Sequence, residues 1–231
     1  STPSNSSAAS DVYKRQQESD ARLEERMKMV DTQIRRRGVT DEDVLAAMET
    51  VPRHEFVPDH LQGQAYADHP LPIGHGQTIS QPYIVALMTE LLQLSNTDRV
   101  LEVGTGSGYQ AAILAQIVDE VYTIEIIEPL ARQAEGRLKA LGYEVIRVRN
   151  ADGYFGWPEE APFDGIIVTA APDHVPQPLL EQLKVGATMV IPVGPVGGIQ
   201  ELWKITRLSE DEFQSVSLGG VRFVPLTRAN E

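Results

Sequence analysis

Residues Val100-Leu-Glu-Val-Gly-Thr-Gly-Ser-Gly108 join an apolar run to an acidic residue, Glu102, and to three glycines at alternate positions, Gly104, Gly106 and Gly108. Glycine reaches positive φ at little cost and carries no Cβ, so such a turn lets the backbone come close to a ligand. α/β proteins grip nucleosides this way, at the carboxyl end of a strand. In the dinucleotide fingerprint GxGxxG the third glycine lets the helix pack closely on the strand. Here Tyr109 takes that sixth position, which speaks against NAD or FAD. Downstream, Val121-Tyr-Thr-Ile-Glu-Ile126 reads as the next parallel strand. Its Glu125 stands where a carboxylate accepts both ribose hydroxyls. A ribose site without a pyrophosphate site suggests S-adenosylmethionine, and a helix starting near Gly108 can face the methionine carboxylate. A glycine turn alone is also an ordinary tight turn. Its pairing with the spaced Glu125 makes it a cofactor reading.

The elements that must position these groups follow from periodicity. Leu23, Met27, Val30 and Ile34 recur at three- and four-residue spacing, which predicts a helix over 20–37, and a short helix follows at 41–49. Pro52, Pro58, Pro70 and Pro72 punctuate a connection expected to be largely irregular. Residues 81–94 read as a helix with Ser80 as its N-cap. Strands are then expected near 99–103, 121–125, 144–149, 164–169 and 187–193, with helices near 108–118, 128–141 and 177–184. That alternation predicts an α/β fold, a doubly wound Rossmann-like sheet covered on both faces. Segments 201–208 and 212–224 around Ser209-Glu-Asp-Glu212 read as an antiparallel hairpin that completes the sheet. Residues 1–19, rich in serine and small polar types, are expected to be disordered. The rest reads as one globular domain: an N-terminal helical and substrate-binding region over 20–97, then a cofactor-binding core over 98–231.

Composition narrows the function classes. The 231 residues are 42% hydrophobic, without a run of about 18 apolar residues, so the chain is expected to be soluble, with no membrane partner. The absence of cysteine excludes disulfides, thiolate metal sites and a cysteine nucleophile. A net charge of −13 disfavours a nucleic-acid partner, and the single basic cluster, Arg35-Arg36-Arg37, reads as the end of a helix. His54, His60, His69, His75 and His174 lack the tight spacing of a metal site, so no metal is expected. At the carboxyl ends of the later strands, Asp152 could accept the adenine N6 amine while Gly153 gives the base room; Asp-Gly is equally a common turn pair. Tyr154 and Trp157 could stack on adenine or simply pack in the core. The fourth strand ends in Thr169-Ala-Ala-Pro172 and lacks the Asn- or Asp-Pro-Pro-aromatic element of adenine N6-methyltransferases, which argues against base modification.

Pro72-Ile-Gly-His-Gly-Gln-Thr-Ile-Ser-Gln-Pro-Tyr-Ile-Val-Ala86, preceded by Val51-Pro-Arg-His-Glu-Phe-Val57, resembles the substrate side of protein-L-isoaspartate O-methyltransferases. Leu101 to Gln110, Asp152-Gly-Tyr-Phe-Gly-Trp157, Ala161 to Ala171, Ile191-Pro-Val-Gly194 and Val221-Arg-Phe-Val-Pro-Leu226 resemble the same family in order and spacing, so the likeness spans about Arg22 to Arg228. Small departures are Asn150-Ala151, where a glycine usually precedes the aspartate, and Ile127-Glu-Pro-Leu130 in place of a Pro-Glu order.

The resemblance implies methyl transfer from S-adenosylmethionine, leaving S-adenosylhomocysteine, to the free α-carboxylate of L-isoaspartyl residues in damaged proteins and peptides. The ester then collapses through a succinimide toward normal aspartate. In the family pattern Ser80 is catalytic, and Thr78, Ile79, Ser80, Val221 and Val224 meet the substrate. Gln77, Thr78, Ile79, Glu102, Gly104, Thr105, Gly106, Ser107, Gly108, Glu125, Asp152, Gly153 and Thr227 are the expected cofactor residues. An isoaspartyl repair methyltransferase is the leading reading. Intact Gln-Thr-Ile-Ser argues against a methyltransferase of the same fold with another acceptor. The presence of both Glu125 and Ser80 argues against a binding module without turnover. A monomer in the cytoplasm is the default expectation; an exported form with its signal removed stays open.

Overall fold

The computed structural model describes residues 21–229; the segment expected to be disordered, 1–19, lies outside them. A helix over residues 21–29 (α1) runs on through a π turn at Val30–Ile34 and a 3-10 turn at Arg35–Arg37, and ends at Gly38 in the left-handed region, φ 97°. The predicted single helix thus loosens over its last two turns. The three arginines of its final turn are engaged: Arg35 with Glu42 and Glu49, Arg36 with Asp31, and Arg37 with Asp68 and the face of Tyr83. α2 (Glu42–Thr50) starts where the Asp41 carboxylate accepts from the amides of Asp43 and Val44, a side-chain cap.

The connection expected to be irregular is only partly so. After two 3-10 turns, Arg53–Phe56 and Asp59–Gln64, the chain forms a small antiparallel hairpin, β1 (Leu71–Gly74) and β2 (Gln77–Ile79). Pro70 and Pro72 do not prevent this, because proline is tolerated on a strand that has a free edge. Then come α3 (Pro82–Leu92), β3 (Arg99–Val103), α4 (Tyr109–Leu114), β4 (Glu120–Glu125), α5 (Glu128–Ala140), β5 (Ile146–Asn150), β6 (Phe163–Val168), α6 (Gln177–Gln182), β7 (Leu183–Val193), β8 (Gln200–Arg207) and β9 (Phe213–Val221). The main sheet has the order β5-β4-β3-β6-β7-β8-β9, parallel through β7 and antiparallel over the last three strands.

Burial explains the parallel part. β3, β4 and β6 are buried almost without interruption, as strands covered on both faces must be. Alternate residues feed two cores. Val100, Ile167 and Val190 pack with α1 to α4, whereas Leu101, Val103, Ile166 and Met189 pack with Leu179 of α6 on the other face. Several expected bounds move: α4 stops at Leu114 rather than 118, β7 begins at Leu183 directly after a shorter α6, and β5 starts at Ile146. β9 ends at Val221 rather than 224, and the chain then leaves the sheet toward the carboxyl ends of β3 and β6.

Candidate active site

Three strands deliver the site. After β3 the backbone turns through Gly104, Gly106 and Gly108, all at positive φ. At Gly104, φ 102°, an added Cβ would lie 2.4 Å from Thr169 Oγ1 at the end of β6, so no larger residue fits there. The amides of Gly104 and Thr105 donate to Ile124 O of β4 at 2.8 and 3.1 Å, which pins the turn to the neighbouring strand. Glu125, 6% exposed at the end of β4, holds the other side of that turn. Its Oε2 accepts from Gly106 N at 2.8 Å and its Oε1 from Ile127 N at 2.9 Å. Each oxygen keeps a lone pair free for a further donor.

Beneath the turn, Glu102 is fully buried. Its Oε2 accepts from Thr123 Oγ1 at 2.5 Å, Thr123 meets Thr105 Oγ1 at 2.6 Å, and Oε1 has no hydrogen-bond partner. Burial, with the nearby Glu125 charge adding to it, pushes the Glu102 carboxyl up to about 8.

These groups line a cleft of about 740 Å³ of atom-free space. Of the expected cofactor residues, Gln77, Thr78, Ile79, Glu102, Gly104, Thr105, Gly106, Ser107, Glu125, Gly153 and Thr227 line it, as does Ser80. The hairpin and β4 are thereby brought against the glycine turn. Gly108 does not line the cleft; at φ 88° it is the N-cap of α4, and a Cβ there would meet Leu138 Cδ1 at 3.2 Å. Asp152 also stays outside it. One of its oxygens accepts from Tyr154 N at 3.0 Å and the other from Arg228 Nε at 3.1 Å and Ala229 N at 3.2 Å. Burial opposes the Asp152 charge, but those donors outweigh it and hold its pKa below the ordinary value. Of the two aromatics that could stack on adenine or pack in the core, Tyr154 has Arg228 over its ring at 3.6 Å, and Trp157 packs edge-on against Tyr122.

Ser80 sits between β2 and α3. The structure corrects its expected role as helix cap: the N-cap is Gln81, without a side-chain cap bond, because Pro82 takes the first helical position and moves the start of α3 one residue on. Ser80 O instead accepts from Nη2 of Arg53 at 2.7 Å. Arg53 is 0% exposed; its Nε donates to Ala65 O at 2.7 Å, and its Cζ lies 4.8 Å from the Tyr109 ring centroid. Burial lowers its pKa to about 10. Arg53 therefore fixes the serine's backbone from behind, and nothing in the sequence marks its guanidinium as buried.

A second groove, with about 1480 Å³ of atom-free space, opens on the other side of Ser80. Val221 and Val224, expected to meet substrate, both line it, and Val224 lines the first cleft as well. Thr78, Ser80, Thr169 and Val224 belong to both cavities, so the two compartments meet at those four residues. The segment 222–228 crosses this junction, docked by Ala171 N to Val224 O at 2.8 Å and Leu226 N to Ala171 O at 2.9 Å. Tyr109, Gln110, Thr169 and Pro225 also line the first cleft, and sequence reasoning did not assign them. For Thr169 the signal was its place at a strand's carboxyl end; Tyr109 and Gln110 read as ordinary helix core. Among the described residues no group of three or more His, Cys, Asp or Glu could hold a metal ion.

Comparison with known proteins gives one family. The model of protein-L-isoaspartate(D-aspartate) O-methyltransferase matches residues 24–231. The protein-L-isoaspartate O-methyltransferase of Opitutus terrae is 58% identical over 208 residues, 90% of this chain and 89% of that protein. That of a Picosynechococcus species is 60% identical over 201 residues, 87% of this chain and 89% of its own. In structure, the chain is similar to a Plasmodium falciparum protein described as a protein-L-isoaspartate O-methyltransferase in complex with S-adenosyl-L-homocysteine, with TM-score 0.75 and 26% identity over 87% of this chain and 98% of that one.

Proposed function

The chain belongs to the protein-L-isoaspartate(D-aspartate) O-methyltransferase family, and from that premise we propose which of its residues carry the reaction. The enzyme transfers a methyl group from S-adenosylmethionine to the free α-carboxylate of L-isoaspartyl residues in damaged proteins and peptides, and so initiates their repair through a succinimide. The observation that carries the assignment of roles is the meeting of two compartments at Ser80, Thr78, Thr169 and Val224. A methyl donor in one and a peptide in the other would face each other there.

The first cleft fits the cofactor on its own chemistry. Cβ atoms at Gly104 or Gly153 would lie within 2.5 Å of Thr169 Oγ1 and Val103 Cγ1, so glycine at these positions lets the turns pack tightly on the strands that wall the cleft. Glu125 offers a free lone pair on each oxygen to the two ribose hydroxyls. Glu102 offers a buried oxygen without a partner. When bound, S-adenosylmethionine supplies an electrophilic methyl group on a sulfonium. Gln77, Thr78, Ile79, Thr105, Gly106, Ser107, Gly153 and Thr227 complete the walls. Gly108 and Asp152 act from outside, the first by starting α4 and the second by fixing the turn that carries Gly153.

The acceptor needs no base, since an α-carboxylate with a pKa of roughly 3.5 is already ionised at pH 7. The protein's task is alignment, which in such displacements supplies most of the acceleration. Ser80 is proposed to donate its hydroxyl proton in a hydrogen bond to one oxygen of the isoaspartyl carboxylate, with Arg53 holding the serine's backbone in place. Val221 and Val224 would present main chain to an extended peptide. Residues 20–97 supply the acceptor side and 98–231 the cofactor side. We place the enzyme as a monomer in the cytoplasm, acting on proteins and peptides with neither nucleic acid nor membrane as partner. The net charge of −13 supports the exclusion of nucleic acid, and among the described residues no helix is long and apolar enough to cross a membrane.

The test compares isotopic methyl transfer to two peptides identical except for an L-isoaspartyl or a normal L-aspartyl linkage. Label only on the isoaspartyl peptide, in a base-labile ester, is expected; label on neither or on both would sink the reading. Ser80→Ala should lower kcat at least tenfold while leaving cofactor affinity within about threefold.

A further inference from the structure

The two compartments that meet at Ser80 are lined by side chains of opposite charge type. Glu102 and Glu125 line the first, and no lysine, arginine or histidine does. Arg37 and Arg222 line the second, and no aspartate or glutamate does. In a chain with 33 acidic against 20 basic residues, the second groove runs against the charge of the protein as a whole, whose field repels a negative peptide. Its two arginines are not equivalent. Arg37 is already matched: its Nη1 lies 3.2 Å from Asp68 Oδ2, its Cζ sits 3.6 Å from the Tyr83 ring centroid, and Gln81 Nε2 donates to the other Asp68 oxygen at 2.7 Å. Arg222 is exposed and, unlike Arg228 on the same segment, which pairs with Asp152, it forms no salt bridge among the described residues. Its backbone is nonetheless fixed. Phe223 N donates to Oε1 of the buried Gln200 at 2.9 Å, and Ala171 N holds Val224 O at 2.8 Å. Val224 belongs to the junction and Arg222 stands two residues before it, at most about 7 Å of backbone away.

We propose that Arg222 forms a subsite for an acidic side chain within two residues of the isoaspartyl unit, so that among damaged sites this enzyme favours those flanked by aspartate or glutamate. The inference rests on the acceptor reading of the second groove given above and deepens it by naming a substrate class. The acceptor carboxylate itself has to face the first compartment at Ser80, on the methyl donor's side, and a guanidinium drawn onto its oxygens would weaken their attack. The cation is therefore left for a second negative group on the same peptide. Guanidinium and carboxylate match as a planar fork and two oxygens, which suits Arg222 to a side-chain carboxylate. Ile199 and Leu218 line the same groove, so a peptide seated there has apolar surface to cover on either side of its charge.

Initial rates of isotopic methyl transfer from S-adenosylmethionine test this on L-isoaspartyl peptides that differ in a single residue, glutamate, glutamine or lysine, placed in turn at each of the two positions before and after the isoaspartyl unit. At one or more of these positions wild type should show a KM for the glutamate peptide about two- to fivefold below that of the glutamine peptide, the worth of an exposed ion pair, and a KM for the lysine peptide above both, with kcat shared within about twofold. Salt at about 0.5 M should erase most of the difference. Arg222→Gln should bring the glutamate, glutamine and lysine peptides to one KM, and Arg222→Glu should reverse their order, which loss of a merely structural arginine would not do. Absence of any charge preference in wild type overturns the proposal. So does an unchanged preference in Arg222→Gln, or a KM raised equally for every peptide, which would put Arg222 on the acceptor carboxylate or in the fold. No transfer to any of the peptides by wild type would instead remove the acceptor reading, and the subsite with it.

Discussion

Gly153→Ala isolates what the Asp-Gly pair after β5 is for. Its φ lies outside the left-handed region, so alanine meets no backbone strain there, and the effect is packing alone. The new Cβ would lie 2.5 Å from Val103 Cγ1 and 3.9 Å from Ile124 Cγ2, where comfortable carbon contacts begin near 3.5 Å. A gap about 1 Å too small must be opened between two buried strands and the turn, a cost of about 1–3 kcal/mol for overpacking. Val103→Ala removes the obstructing methyl and leaves a void, costing about 1–2 kcal/mol by itself. Because the second change vacates the space the first one needs, the double variant should lose at least about 1 kcal/mol less than the two single losses combined. Urea unfolding of wild type, both single variants and the double variant measures this coupling, and calorimetry with S-adenosylmethionine follows it into the cleft that both residues line. Affinity should fall in Gly153→Ala and recover partly in the double variant. Additivity within about 0.3–0.5 kcal/mol would refute the reasoning: the turn would then move aside for a methyl group, and close approach would not be what requires glycine.

Glu125→Gln replaces an acceptor that holds two backbone amides with a side chain that must turn a donor toward one of them. The Kd for S-adenosylmethionine should rise about 10- to 100-fold, the value of one or two hydrogen bonds to a charged group, with kcat at saturation within about threefold; a loss mainly in kcat would contradict the ribose role. Glu102 sets the pH dependence of the ligand-free protein. Its folded pKa, about 8, lies above the ordinary 4.5, so its contribution to stability is fully present below 4.5 and is lost as pH rises toward and through 8. Thermal melting from pH 5 to 9 should show that decline in wild type and a flatter profile in Glu102→Gln; parallel profiles would mean that the carboxyl is not buried as a neutral group.

The parts legible in the sequence are those fixed by local pattern. Val100–Val103 and Val121–Ile124 are mostly apolar runs, broken only by Glu102 and Thr123, that a doubly covered sheet can bury, and Glu125 could be placed because a strand's carboxyl end is where its apolar run stops. Positions decided by competition between neighbours were not legible. Serine before a helical stretch is a good cap, yet Pro82 is a better first helical residue, so Ser80 is displaced from the cap and its side chain is left to the junction. The β1–β2 hairpin was hidden because strands of four and three residues carrying a proline have no periodicity to read. The contact of Arg228 with Asp152 was not legible either, because the two lie far apart along the chain.

The same limit explains why the acceptor side of the site is the harder half to read. The cofactor cleft is built largely from the first residues after β3, β4 and β6, whose places follow from the sheet itself. Ser80 has no such frame, since its hairpin pairs only with itself. Its backbone is held instead by Arg53, which reaches Ala65 O and Ser80 O and rests against Tyr109 at the head of α4. One buried guanidinium thereby ties the loop before the hairpin, the residue at the junction and a wall of the cofactor cleft. Desolvating that cation costs several kcal/mol, and among the described residues no carboxylate forms a salt bridge with it to offset the cost. Lysine could keep the charge but not the planar fork that spans two carbonyls. The cost makes sense where the gain is geometric: the backbone of Ser80 is held at the junction of the two compartments, where the proposed methyl transfer depends on alignment.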